Sequence, residues 1–465
     1  MSTAPSSERI KAAIQGNILD SYGLKYEFTS YVVAQVVHPG RAGAVLRSML
    51  DPGAPAPTIT SAAGGSGACL NLGITFRGLA ALGVPDRSLG TFPWEFRKGM
   101  VARAAHLGDV GPNRPETWVG GLNDPDNVHV VFTVHATSDR QRDEAVKAVV
   151  ACFADGSYRE VSRFEGQALP DPAARALDPL TKKRVEHFGF RDGVSQPRFA
   201  GFGRRPPAPH EPVEPLGVVL LGHPGSSPAL TVPVPQPAEL GHNGSFGAFR
   251  VLGQDVAGFR DFVAAESQAL EIDEALFRAK LCGRWPNGVP LSRAATAKEA
   301  DRVLARGGHL NDFDFRDDQD GAACPVGSHI RRANPRRSHL VQRPANRSRR
   351  LVRRGIPFGS WLEPGQTGGI RDRGLLGHFL CASLSSQFEA MQYDWVHLGL
   401  HDPRVTGTND PITGTNDPRT SAFTFALPDG RRHTVRGFGS FVETMGGAYL
   451  FLPSLDALRW IGSLS

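Results

Sequence analysis

The sequence has no run of about 18 uninterrupted apolar residues, the least that a membrane-crossing helix needs. Its opening, MSTAPSSERIKAAIQGN, has neither an apolar h-region nor a twin arginine. A cytoplasmic protein with no span and no cleaved signal is therefore predicted. Cysteine is scarce: five residues in 465, Cys69, Cys152, Cys282, Cys324 and Cys381, odd in number, scattered and never in CxxC spacing. That argues against a disulfide framework and a thiolate zinc site, and predicts reduced thiols. HExxH, GxSxG and the phosphate-loop patterns GxxxxGKS and GxxxxGKT are missing too, which removes the commonest metalloprotease, hydrolase and nucleotide-binding signals. His129 and His135 share one strand face but lie about 20 Å apart along an extended chain, too far to share an ion.

What the chain has in quantity is turn formers, 53 Gly and 36 Pro, between segments of clear period. In NVHVVFTVHA, Val128, Val130, Phe132 and Val134 alternate with His129, Val131, Thr133 and His135, the signature of a strand with one buried face. The following SDRQRDEAVKAVVACF offers Ser138 as a helix cap and Ala145, Val146, Val149, Val150 and Phe153 at helical spacing. Strand then helix returns in SFGAFRVLGQ with DVAGFRDFVAAES, and in GGAYLFLP with SLDALRWIG. The predicted fold class is α+β, two domains that each pack helices on one face of an antiparallel sheet, since one typical core is too small for this length. The Pro-rich GRRPPAPHEPVEPLG, Gly203 to Gly217, reads as a semi-rigid connector, and the domain boundary is placed there. The tandem heptads TGTNDPI and TGTNDPR, Thr406 to Arg419, read as a pair of exposed turns rather than a cation site through Asp410 and Asp417.

Three segments carry chemistry. In EHFGFRDGVSQPRF, Gly189 and Gly193 allow tight turns, Phe188 and Phe190 supply apolar walls, and Arg191 neighbours Asp192. Asp192 is either a proton acceptor tuned by burial or the Asp of an ordinary Asp-Gly turn. In NDFDFRDDQDGAACPVGSHIRRANPR the acidic run fails as an EF-hand, because aligning Gly321 with the sixth position puts Arg316 first and Gly327 twelfth. His329 follows the small residues Gly327 and Ser328, which would leave room for a planar group beside an imidazole; a structural histidine is the alternative. From Arg331 to Arg354 there are ten arginines, interrupted by Pro335, Pro344, Leu351 and Val352 and without interleaved aromatics. They are read as surface and anion-binding cations, with no nucleic-acid partner.

Together the three segments resemble the dye-decolourising peroxidases. GFRDG, Gly189 to Gly193, resembles that family's GxxDG signature; CPVGSHIRRANPR, Cys324 to Arg336, its proximal-histidine segment; RRGIPFG, Arg353 to Gly359, its distal-arginine segment. IQGNILDSYG, FRGLAALGVP, GGLNDPDNVHVVFTVHA and QFEAMQYDW are similar to the family as well. The resemblance implies two ferredoxin-like domains: residues 1–205, ending in the GxxDG distal loop, and residues 206–465, which bind haem b in the C-terminal half. It implies His329 as the iron ligand, Asp192 and Arg353 as the catalytic pair on the open side, and a second bond from Arg353 to a haem propionate. The implied partners are hydrogen peroxide and aromatic electron donors, anthraquinone-type dyes and phenolics, oxidised by one-electron steps.

Two positions depart from the family pattern. Ser383 aligns where an acidic or amide partner of the proximal histidine is expected, and a carboxylate elsewhere would have to serve. Gly377 stands where a bulky distal residue is expected, leaving Leu375 as the apolar wall. Trp361, Tyr393 and Trp395 are either electron relays to the surface or core packing. A haem-handling or iron-releasing protein with incidental peroxidase activity is the second reading. Neither oligomeric state nor the physiological donor is legible.

Overall fold

The computed structural model describes residues 7–464 apart from 20, 21, 23, 24, 66, 171–183, 203–205, 227–230, 308 and 340–344. Eight strands build its main sheet: β1 (Phe28–Val36), β2 (Cys69–Ile74), β3 (Val130–Ala136), β4 (Tyr158–Gln167), β5 (Ser245–Gln254), β6 (Val352–Phe358), β7 (Gly374–Cys381) and β8 (Val442–Leu452). Their order is β6-β7-β5-β8-β2-β3-β1-β4, antiparallel throughout. The first four in sequence form one half and the last four the other. A single pairing, Phe451 with Ile74, joins them. The boundary placed between residues 205 and 206 falls against 203–205, outside the described residues.

The sheet curls until its far strands face each other. Tyr31 of β1 and Phe249 of β5, four places apart in the sheet order, have ring centroids 4.8 Å apart. Phe164 of β4 meets the same Phe249 at 6.0 Å. The edge strands β4 and β6 pack so closely that a Cβ on Gly166 would lie 2.4 Å from Ile356 Cγ2.

Curling explains the one error in reading β3. Val130, Phe132 and Val134 face the outer helix α1 (Asp139–Ala151), with Phe132 and Phe153 rings 5.5 Å apart. Thr133 pairs with Tyr31 and so faces inward with it. Both faces of β3 are consequently buried, not one. Ser138 Oγ caps α1 as predicted, by accepting from Gln141 N; the structure adds Asp255, which caps α2 (Val256–Leu270) by accepting from Gly258 N. Such caps contribute about 1 kcal/mol each. Further helices that matter below are α3 (Glu274–Cys282) and the single turn α4 (His329–Ala333). No helix among the described residues is long and apolar enough to cross a membrane, and the five cysteines are free thiols.

Candidate active site

The pleat of the C-terminal half sorts side chains to two sides. Arg354 points into the closed interior, where its guanidinium donates to the carbonyls of Asn17 and Ile18. Arg353, one residue earlier, points outward. On the same face of the sheet lie Leu375, which pairs with Leu252, and Val442, which pairs with Gln254. Arg353, Leu375, Leu252, Gln254 and Val442 all line one open cavity with about 1380 Å³ of free space, its mouth included. The rest of the wall comes from the 186–197 loop, from α4 with His329 and Ala333, and from Ile412 and Thr413. The three segments singled out in the sequence therefore meet around one space.

The Asp192 loop is a built turn. Gly189 (φ 84°) and Gly193 (φ 72°) take the left-handed conformations that glycine permits. The carboxylate of Glu186 accepts from the amides of Phe188 (3.0 Å) and Phe190 (2.9 Å) and from Gln254 Nε2 (2.7 Å). Burial raises the Glu186 carboxyl above its ordinary range, with the charge of Asp192 adding to this and the three hydrogen bonds opposing it. Phe188 anchors the turn on α2 by packing against Phe259 at 4.4 Å. Asp192 itself is half-exposed, not buried as its aromatic neighbours suggest, because Phe188 and Phe190 turn away from it into the core. One of its oxygens accepts from Gly193 N at 2.6 Å; the other, Oδ2, lies 3.9 Å from where a Cβ on Gly355 would stand, next to the Arg353 face.

His329 begins α4 with its side chain 28 % exposed to the cavity. Its Nδ1 donates to Asp410 Oδ2 at 3.0 Å. Asp410 is fully buried, and its other oxygen accepts from the amides of Ile412 and Thr413, 2.9 Å each. Burial works to raise this carboxyl, but the His329 ring, and then Arg332 and the Thr413 amide, outweigh it and hold it at about 2. An ionised carboxylate only accepts, so in the neutral ring the proton sits on Nδ1 and the Nε2 lone pair is left for the cavity. Asp410 is the carboxylate elsewhere that the Ser383 position called for; the Ser383 Oγ instead caps the π-helical segment Leu384–Glu389 by accepting from Ser386 N. One expectation is corrected. Neither TGTNDP heptad is the exposed turn expected: Asp410 is fully buried in the first, and Gly414 and Asn416 are buried in the second, which reaches the surface only at its end, where Asp417 is bonded to its neighbour Arg419. The two heptads differ only in their last residue, apolar Ile412 against charged Arg419, and the fold brings Asp410 to a histidine 81 residues away.

Gly327 does not make room for a ligand either. A Cβ there would lie 3.3 Å from Val405 and 3.6 Å from Phe423, so its smallness serves packing behind the site. Gly377 is covered by the Phe379 ring, 2.8 Å from a Cβ at that position, while Leu375 supplies the apolar wall as expected. Trp361 stacks on His187, Tyr393 on His106, and Trp395 is buried beneath the Arg349 guanidinium. Of the ten arginines, Arg331, Arg332, Arg336 and Arg354 are buried and bonded within the chain.

The cavity suits a planar dianion with a ligand-seeking centre. Arg284, Arg336, Arg349, Arg350 and Arg353 bring guanidinium groups to it. Burial pushes Arg284 down to about 10, and burial together with Arg284 and Arg350 lowers Arg336 well below the ordinary range. Arg350 Nε is buried without a hydrogen bond among the described residues and lies 3.8 Å from the buried Glu214 carboxylate. A bound dianion would relieve this crowding of like charge. With an imidazole nitrogen available beside apolar Leu375, Leu252 and Ile412, the donor set fits a haem.

Acid should loosen both sides of the cavity. His187 Nε2 donates to Phe358 O at the end of β6, and His401 Nε2 donates to Val326 O before His329; in each ring Nδ1 is buried without a partner. Burial lowers both rings to about 4. The unfolded chain, with its histidines near 6.5, takes up protons first as pH falls. Stability from each ring is therefore complete above about 6.5 and lost on the way down to about 4, at most about 3 kcal/mol per ring. The melting temperature is expected to fall steeply between pH 6.5 and 4.5; a flat profile over that interval would show that the rings are not held neutral.

Comparison with known proteins agrees with this geometry. Residues 59–170 match the family described as the DyP dimeric alpha+beta barrel domain. A dye-decolorizing peroxidase of Mycetinis scorodonius is 30% identical over 422 residues, 85% of this chain and 76% of that protein. The multifunctional dye peroxidase of an Amycolatopsis species is 30% identical over 413 residues, covering 84% and 81%. The solved structure of a dye-decolorizing peroxidase in complex with 2,6-dimethoxyphenol superposes with a TM-score of 0.79 at 27% identity, over 97% of this chain and 99% of that one. With a 30% identical relative matched over most of its length, and the whole fold shared, the chain belongs to the dye-decolorizing peroxidase family.

Proposed function

We propose that this peroxidase holds haem b in the cavity between the outer face of β5–β8 and α4, with His329 Nε2 as the iron ligand. Haem, when bound, supplies the redox-active iron at which hydrogen peroxide is reduced. The observation that carries the reading is the Asp410–His329 pair: a buried carboxylate fixes the ring so that its free nitrogen addresses a cavity that also presents Asp192 and Arg353.

Asp192 Oδ2 takes the proton that peroxide loses from one oxygen and returns it to the other, which leaves as water. Arg353 stabilises negative charge on the departing oxygen. Its Nη2 is held by Ser195 O at 2.7 Å, leaving Nη1 and Nε for the reacting oxygen and a propionate. Arg350, which lines the same cavity and whose Nε has only a long ion pair, 3.8 Å, with buried Glu214, is a second propionate partner. Two one-electron oxidations of donor molecules complete the cycle. Phenolics and anthraquinone-type dyes are the proposed donors, supported by the relative solved with 2,6-dimethoxyphenol. The haem-releasing alternative is not favoured, since the named relatives are peroxidases.

Two ferredoxin-like halves, 1–205 and 206–465, are proposed on the sheet order, which puts β1–β4 in one and β5–β8 in the other. The free cysteines support a reducing, cytoplasmic setting. The test is to load the protein with haem and follow oxidation of 2,6-dimethoxyphenol by hydrogen peroxide while assaying iron-free porphyrin. Sustained turnover with haem intact supports the proposal. Porphyrin release without turnover contradicts it.

A further inference from the structure

β6 is the outermost strand of its half, and Arg353 faces β7 across a pair with Phe379. At that residue the backbone N–H and C=O point away from β7. They are met by a side chain. Arg353 N donates to Gln196 Oε1 at 3.0 Å, and Gln196 Nε2 donates to Arg353 O at 2.9 Å. A glutamine amide carries one acceptor and donors side by side, as a neighbouring peptide group would, so Gln196 acts as a one-residue extension of the sheet. Pro197 follows it and restricts the Gln196 backbone to extended conformations.

The same short loop is tied to Arg353 at a second point, Nη2 to Ser195 O at 2.7 Å, and Ser195 Oγ accepts from Arg336 at 3.2 Å. Asp192 lies four residues before Gln196 on this loop, with Oδ2 directed toward Gly355, two residues beyond Arg353 on the same face.

We propose that Gln196 is a positioning residue: its paired hydrogen bonds to the Arg353 backbone fix the Asp192 loop against β6, so that the carboxylate and the guanidinium keep one relative placement. This rests on the roles given to Asp192 and Arg353 above. A displacement of about 1 Å between reacting groups can cost about 10²-fold in rate. Gln196→Leu replaces the amide by an apolar side chain one bond shorter and removes both bonds. In the haem-loaded protein it is expected to slow the first peroxide-driven change in the absorption spectrum by about 10- to 100-fold. Haem content, melting temperature and the apparent KM for the donor should stay near those of the parent. Cyanide binding, which also requires a proton to be taken up in the pocket, is the readout outside turnover, and its association rate should fall in parallel.

The decisive comparison is a double-mutant cycle. Added to Arg353→Leu, Gln196→Leu should cost less than about twofold more, because the group it positions is gone. Should Gln196→Leu fail to fold, Gln196→Asn, whose amide is withdrawn by one methylene, is expected to show the same loss and the same non-additivity. Peroxide and cyanide rates within about twofold of the parent, or losses that multiply with those of Arg353→Leu, would overturn the proposal. If Arg353→Leu and Asp192→Asn alone change neither rate, the fault lies in the distal assignment itself and Gln196 loses its role with it.

Discussion

Arg353→Leu is expected to slow the reaction of the haem-loaded protein with hydrogen peroxide by about 10²- to 10³-fold, read as the first peroxide-driven change in absorption on rapid mixing. A guanidinium in a half-enclosed site acts on developing negative charge far more strongly than one in water, and it needs no reorganisation when the charge appears. Arg353 is prepared for this. Its backbone is held on both sides by Gln196 and one terminal nitrogen by Ser195 O. Asp192→Asn is expected to cost about 10²-fold or more on the same step, since an amide cannot take the proton. The two losses should not multiply fully, because removing the guanidinium also breaks its Nη2 bond to Ser195 O on the loop that carries Asp192. If neither variant slows the step, the distal assignment is wrong.

His329→Ala should lose haem or hold it loosely, with no histidine-ligated Soret spectrum. Asp410→Asn gives the graded version. The amide still reaches His329 Nδ1 but brings no charge, so the ring becomes a poorer electron donor and is less firmly oriented. Haem affinity is expected to fall about 10- to 100-fold, and the reduction potential to rise. Haem titration and potentiometry check the two effects separately. Haem content and spectrum unchanged in His329→Ala would remove it as the ligand. A potential unchanged in Asp410→Asn would show that the buried charge does not act on the iron.

The sequence made the local elements readable because each is specified by neighbours in the chain. Ser138 caps the helix it is expected to cap, and β5 spans SFGAFRVLGQ, the run that reads as a strand. The site residues were legible through motifs: Asp192, His329 and Arg353 line one cavity. What was not legible depends on distant packing. The period of β3 says which residues share a face, but not that the second face is closed by strands from the other half of the sheet. Asp410 and Asp417 stand in copies of one heptad, and both make the same bond to the amide two residues on. Only the tertiary position of the first, beneath Val396 O and beside His329, makes it a partner of the proximal ring. Gln196 gave no signal at all, because a side chain completing a sheet edge is visible only once the edge is known.

The most direct measurement is the absorption spectrum of the purified, haem-loaded protein before and after one equivalent of hydrogen peroxide. The account requires a Soret band typical of histidine ligation that changes within the mixing time and returns when 2,6-dimethoxyphenol is added. A Soret band indifferent to peroxide, or none after haem supplementation, would contradict it.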